Sequence, residues 1–272
     1  MARQASGGFR KGPASILIGV GGIPWRAQSS IPTWRASADW GDKLGYTRNE
    51  TTAANRDGIG LMLNLRAKYQ TVNTPMVVSG CVGPRGDGYN PGQVTTAAEA
   101  EAYHAHQIAA LVEADADMVT AITMTTTNEA IGITRAAMKA TMPVAISFTL
   151  ETDGRLPTGQ TLADAIREVD AATADGPAYY MINCAHPTHF EHALPEQEDW
   201  TKRIHGIRAN ASRRSHQELN DALDLDAGDP VELGSLYREL LRRHPQINVL
   251  GGCCGTDHRH VECISIACRA AA

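Results

Sequence analysis

From Thr74 onward this chain alternates short apolar runs with longer amphipathic ones, and that rhythm restricts its fold more than any other feature. Strands are predicted at 75–80, 117–124, 143–150, 178–184, 204–210 and 247–251, the fifth being the weakest. Helices are predicted at 96–113, 128–140, 161–174, 231–243 and 257–271. Strands that are apolar on both faces and alternate with helices mean a parallel sheet under a helical layer. No Gly-x-Gly-x-x-Gly turn follows the first of them, and 272 residues suit one α/β barrel. The expected fold class is therefore α/β, a (β/α)8 TIM-type barrel, whose chemistry sits in the loops after the strands.

Counting back from the last strand makes 178–184 the sixth and 247–251 the eighth, which leaves the first two for residues 1–74. Residues 16–20 offer one candidate strand and 50–69 read as a helix, but 21–40 show neither period. Residues 1–45 are rich in Ser, Arg, Gly, Trp and Pro and form an atypical segment, with the barrel spanning 46–272. The first one or two βα units are thus expected to be irregular or missing. Gly21-Gly22 lacks the helix start that a phosphate-cradling loop requires.

Composition narrows the partners. Hydrophobic residues make up 43% of the chain, enough for a sizeable core, and the net charge is −5. That balance argues against nucleic acid or an anionic membrane surface. No apolar run approaches the roughly 20 residues of a spanning helix, and none of the N-terminal segment reads as a signal peptide. Six cysteines spread over this length do not form a secreted disulfide pattern, so the expected compartment is the reducing cytoplasm.

Two of those cysteines stand side by side between glycines, Gly251-Gly252-Cys253-Cys254-Gly255, with Cys184 about 70 residues upstream. A disulfide between neighbours strains the intervening peptide. Two buried cysteines beside a tight turn are one reading; a soft metal gripped by thiolates, with backbone folded close around it, accounts for the glycines as well. Cys184 and the pair both fall at the C-terminal ends of predicted strands. Three thiolates around Zn²⁺ leave a fourth position open and a net charge of −1, a centre poor at activating water. Such a centre can still bind a fourth thiol and keep it nucleophilic at neutral pH, which suits alkyl transfer to sulfur.

Five stretches carry a resemblance: INCAHP at 182–187, GIRANA at 206–211, VLGGCCGTD at 249–257, SGCVGP at 79–84 and SFTLETDG at 147–154. Together, from about Asn49 to the end, they resemble the zinc-dependent homocysteine S-methyltransferase family. The resemblance implies that Cys184, Cys253 and Cys254 ligate Zn²⁺. It also implies methyl transfer to homocysteine, giving methionine, with homocysteine and a methyl donor as small-molecule substrates. Family members open with a strand ending in Asp-Gly-Gly and carry a Thr-Asn-Thr-type element after the second strand; neither stands in residues 1–48. Where members place a Glu after the fourth strand, this chain has AITMTT at 121–126. The alternative reading is therefore a zinc-binding barrel remnant that is impaired in catalysis.

Around that centre, Glu151 after the fifth strand is a candidate for a substrate ammonium or a sulfonium donor, and Asp153-Gly154 also reads as a turn. Asn183 is a candidate to orient the Cys184 loop. His186 and His189 stand near enough in sequence to serve as ligands, a role that three cysteines make unnecessary. Arg208 and Asn210 offer a carboxylate fork, with a structural ion pair as the commoner fate. Asp257 reads as a helix cap. His104 and His106 read as surface or packing residues. The glycine-rich loop at 84–92 has the composition of a lid.

Overall fold

The computed structural model describes residues 27–30, 33–92 and 95–269, and the candidate strand at 16–20 and Gly21-Gly22 lie outside them. Among the described residues seven strands run in sequence order through one parallel sheet: β1 (Ala27–Ser30), β2 (Met76–Val82), β3 (Met118–Met124), β4 (Val144–Thr149), β5 (Tyr179–Asn183), β6 (Ile204–Ala209) and β7 (Val249–Gly252). Helices α1 (Ala38–Leu44), α2 (Arg48–Tyr69), α3 (Ala97–Glu113), α4 (Thr127–Lys139) and α5 (Leu162–Thr173) connect the first half. The second half carries the short turn α6 (Pro187–Phe190), then α7 (His216–Asp221), α8 (Pro230–Arg243) and α9 (His258–Arg269). Among the described residues β1 and β7 do not pair with each other, so the sheet curls into an incomplete TIM-type barrel.

Every residue of β3 and β4 is buried, as the continuous apolar runs require. The helical layer approaches so closely that a Cβ on Gly80 would stand 2.6 Å from Leu111 Cδ1 of α3. Small polar groups on the strands are satisfied within the sheet: Ser79 Oγ lies 2.7 Å from Thr120 Oγ1. Helix starts follow local rules. Thr47 with Glu50 and Thr96 with Glu99 form reciprocal capping boxes on α2 and α3, each satisfying two otherwise orphaned donors.

The stretch at 21–40, which shows neither helical nor strand period, contains β1 and the start of α1. β1 has four residues, too few to display alternation, and its place comes from parallel pairing with β2, Ala27 opposite Met76 through Ser30 opposite Ser79. Among the described residues it forms the edge of the sheet, beside β2. The turn after it is tied down at long range: Thr33 Oγ1 donates to Cys81 O (2.8 Å) and Trp34 Nε1 to Ile122 O (3.0 Å). His104 is no surface residue; it is buried on α3 and pairs with the buried Glu129 of α4 at 2.9 Å.

At Gly132, α4 meets α3 with no room for a side chain. A Cβ there would lie 2.5 Å from Ala100 Cβ, 2.6 Å from Glu101 N and 2.7 Å from Ala97 O. Since two of these atoms are backbone, Gly132→Val is expected to destabilise the chain by about 3 kcal/mol through overpacking. Urea denaturation measures this, and an unchanged midpoint would show that the two helices can separate at no cost.

Candidate metal centre

Cys184 is the first residue beyond β5, and its φ of 56° places it in the left-handed region that side chains avoid. Its neighbours impose that turn. Its N–H donates to Arg208 O (3.2 Å), while its carbonyl accepts from Asn210 Nδ2 (2.9 Å) and His216 Nε2 (2.5 Å). Asn183, fully buried, locks the strand end: its Oδ1 accepts from Thr123 N (3.0 Å) and Ser147 Oγ (2.5 Å), and its Nδ2 donates to Thr123 Oγ1 (2.9 Å).

The vicinal pair follows β7. Tyr237 of α8 reaches under that strand end, donating to Gly251 O (2.5 Å) and accepting from Ala209 N (2.8 Å). Cys253 N donates to Ala209 O (2.8 Å), and Cys254 N to Asn210 Oδ1 (3.1 Å). Asn210 thus bonds to both cysteine loops through one side-chain amide. The flanking glycines have separate reasons. A Cβ on Gly252 would lie 2.1 Å from Thr256 Oγ1, and Gly255 turns with φ of 78°.

These two strand ends bring three sulfurs together, each within 4.8 Å of the others, with Cys184 Sγ and Cys253 Sγ 2.8 Å apart. No other cluster of this kind exists among the described residues. Cys184 is buried, Cys253 half-buried and Cys254 exposed. The thiols share their protons unevenly. Hydrogen bonds from Cys184 and then Cys253 hold the Cys254 thiol far below its ordinary value, whereas the bond between Cys253 and Cys184 pushes Cys253 up.

Tyr89 lies against Cys254, its hydroxyl 3.4 Å from Sγ and its ring centroid 4.2 Å from that of His216. Burial raises the phenol well above its ordinary range, so the hydroxyl keeps its proton. Tyr89 rides on the glycine-rich loop at 84–92, whose base is pinned where Arg85 N donates to the buried Glu129 (2.6 Å). Beside Cys254 opens a cleft of about 280 Å³, walled by Tyr89, His216, Leu219, Leu225 and the carboxylates of Asp224 and Asp226.

Glu151 lies at this end of the sheet, 3.1 Å from His216 Nδ1, while His216 Nε2 holds the Cys184 carbonyl. His186 pairs with Thr188 (2.8 Å) and His189 with Arg213 O (2.8 Å), so neither joins the sulfur cluster. Asn210 is a structural bridge, Arg208 Nε donates to Gly252 O (3.3 Å), and Asp257 accepts from Arg259 N (2.9 Å) at the start of α9. The sequence reading missed Tyr89 as an individual residue, and His216, Thr123 and Tyr237 altogether. Tyr89 had a signal in the composition of its loop. His216 stands in a stretch without period, and its role exists only through partners 32 and 65 residues away.

The homocysteine S-methyltransferase family model matches residues 31–268. Two solved structures share the fold, both of the homocysteine methyltransferase MmuM from Escherichia coli. The metallated form superimposes with a TM-score of 0.70 at 17% identity, covering 88% of this chain and 78% of that one. The oxidised form gives 0.70 at 19% identity, with 90% and 78% covered. No curated relative matches the sequence.

Replacing Asn183 with Ala would leave Thr123 N–H and the Ser147 hydroxyl without partners in a buried site. A loss of roughly 2–4 kcal/mol is expected, since each orphaned group costs about 1–3 kcal/mol. Chemical denaturation checks it; a variant as stable as the parent would mean that water or rotation replaces the amide.

Proposed function

The chain belongs to the homocysteine S-methyltransferase family, and from that premise we propose that it transfers a methyl group from a sulfonium or ammonium donor to the thiol of homocysteine, with Zn²⁺ held by Cys184, Cys253 and Cys254. The reading rests on one observation above all: three thiols from two distant strand ends converge within 4.8 Å. The donor set fits the metal. Zinc–sulfur bonds of about 2.3 Å in a tetrahedron separate sulfurs by about 3.8 Å. The Cys184–Cys253 pair at 2.8 Å would open by roughly 1 Å, a side-chain rotation, and Cys254 is already the exposed corner. Bound zinc lowers the pKa of an incoming thiol and so keeps it nucleophilic at neutral pH.

The protein's own residues supply the setting. Asn183, Asn210 and His216 keep the cysteine loops from relaxing, with Glu151 acting through His216 rather than on the substrate. Tyr89 stands against Cys254 and offers a hydroxyl proton toward its sulfur. The cleft beside Cys254 admits the reactants, and Asp224 among its lining residues favours a cationic donor, whereas Asp226 is taken up by Ser212, Gly228 and Arg214. A sulfonium or ammonium methyl suits displacement by a thiolate, because the charges of both partners cancel as methionine and a neutral leaving group form.

Cys254→Ser is expected to lose bound zinc and methionine formation together, both read on the full chain by metal analysis and by product chromatography. A zinc-free variant that methylates homocysteine at the parental rate would overturn the assignment.

A further inference from the structure

A cation stands at this end of the sheet with no ion pair among the described residues. Arg35 lies in the turn after β1, at the C-terminal side of the parallel strands, the side on which Cys184 and the vicinal pair stand. Its guanidinium is sandwiched between two indoles, 4.2 Å from the Trp34 ring centroid and 3.9 Å from that of Trp40. Its Nη1 is buried and, among the described residues, has no hydrogen-bond partner. No carboxylate of the described residues lies within 4.0 Å of the group. Asp87, whose charge favours the protonated guanidinium from beyond that distance, uses its Oδ1 to accept from Tyr89 N (2.8 Å) and Asn90 N (3.1 Å).

An unpaired, partly desolvated cation is costly, and removing it from water lowers its pKa. Two cation–π contacts offset part of that cost and fix the plane of the fork. They leave its N–H donors unspent. A guanidinium held rigid, with a buried donor unsatisfied, is suited to a planar two-oxygen anion.

The surroundings tie this cation to the sulfur cluster. Trp34 docks on the end of β3 through Ile122 O (3.0 Å), and Gly88 is wedged between its ring and Thr123, where a Cβ would meet Cζ2 at 3.3 Å and Cγ2 at 2.8 Å. Thr123 in turn reaches Cys184 Sγ at 3.9 Å. The loop that brings Tyr89 to Cys254 also passes Arg35, whose charge Asp87 and Tyr89 feel. Guanidinium and sulfurs are thus both connected to the loop that carries Gly88 and Tyr89.

We propose that Arg35, braced by Trp34 and Trp40, is the residue that anchors the carboxylate of the amino-acid thiol. The proposal rests on the site being a thiol-methylation centre, and it names Arg35 as a determinant of specificity for an α-amino acid over a simple thiol.

The test is calorimetry on the zinc-loaded full chain with two probes, homocysteine and 3-amino-1-propanethiol, its analogue without the carboxylate. The parent is expected to bind homocysteine roughly 10- to 100-fold more tightly, the range of a charge-assisted hydrogen bond. Arg35→Gln should abolish that preference while leaving zinc content and affinity for the aminothiol unchanged; Arg35→Lys should restore part of it. Equal affinities in the parent would overturn the anchor even if no variant folds. So would a preference that survives in Arg35→Gln, or an equal weakening of both probes. If the parent binds neither thiol, the thiol-methylation reading itself falls and takes the anchor with it, a result distinct from the others.

Discussion

The left-handed turn at Cys184 is the constraint on which the rest of the site depends. A φ of 56° costs a side-chain-bearing residue roughly 1–2 kcal/mol. It persists because three separate elements hold it: Arg208 takes the N–H, while Asn210 and His216 both donate to the carbonyl. Were the residue to relax toward an extended conformation, its sulfur would swing out of line with Cys253. Asn210 adds a second consequence, because the same amide receives Cys254 N–H and couples the two loops. The sulfur cluster is thus a property of the β5, β6 and β7 ends taken together, with the parallel register setting the height of each.

Crowding of the thiols sets their chemistry. Sulfurs this close hydrogen-bond among themselves, so the first ionisation is easy and the next ones are opposed by the charge already present. Three thiolates in one place need compensating positive charge; Tyr89 is neutral, and the charge that Cys254 feels from His216 is shared with Glu151. Those residues shape access to the cluster.

Much of this fold was legible from pattern. The continuous apolar runs of β3 and β4 forced helices onto the sheet, and the helical spacing of Ala, Ile and Leu over 96–113 marked α3. β1 escaped because four residues carry no period; pairing with β2 alone makes them a strand. The order Asn183-Cys184 and the glycine-flanked pair pointed to a shared centre, since glycines mark places where backbone must come close. Tyr89 and His216 carried no comparable local mark, and Arg35 is defined by two indoles and an empty donor rather than by spacing.

Sequence by itself determined the alternation of strands and helices, the parallel sheet and the three thiols set at strand ends, because these follow from periodicity and from where glycine is required. Tertiary structure alone decided which side chains meet those thiols, which hydroxyl lies against the exposed sulfur and which cation has no ion pair among the described residues. The reason is physical. Periodicity records which face of an element is buried, whereas a contact between residues 32 or 165 positions apart depends on strand register and loop path.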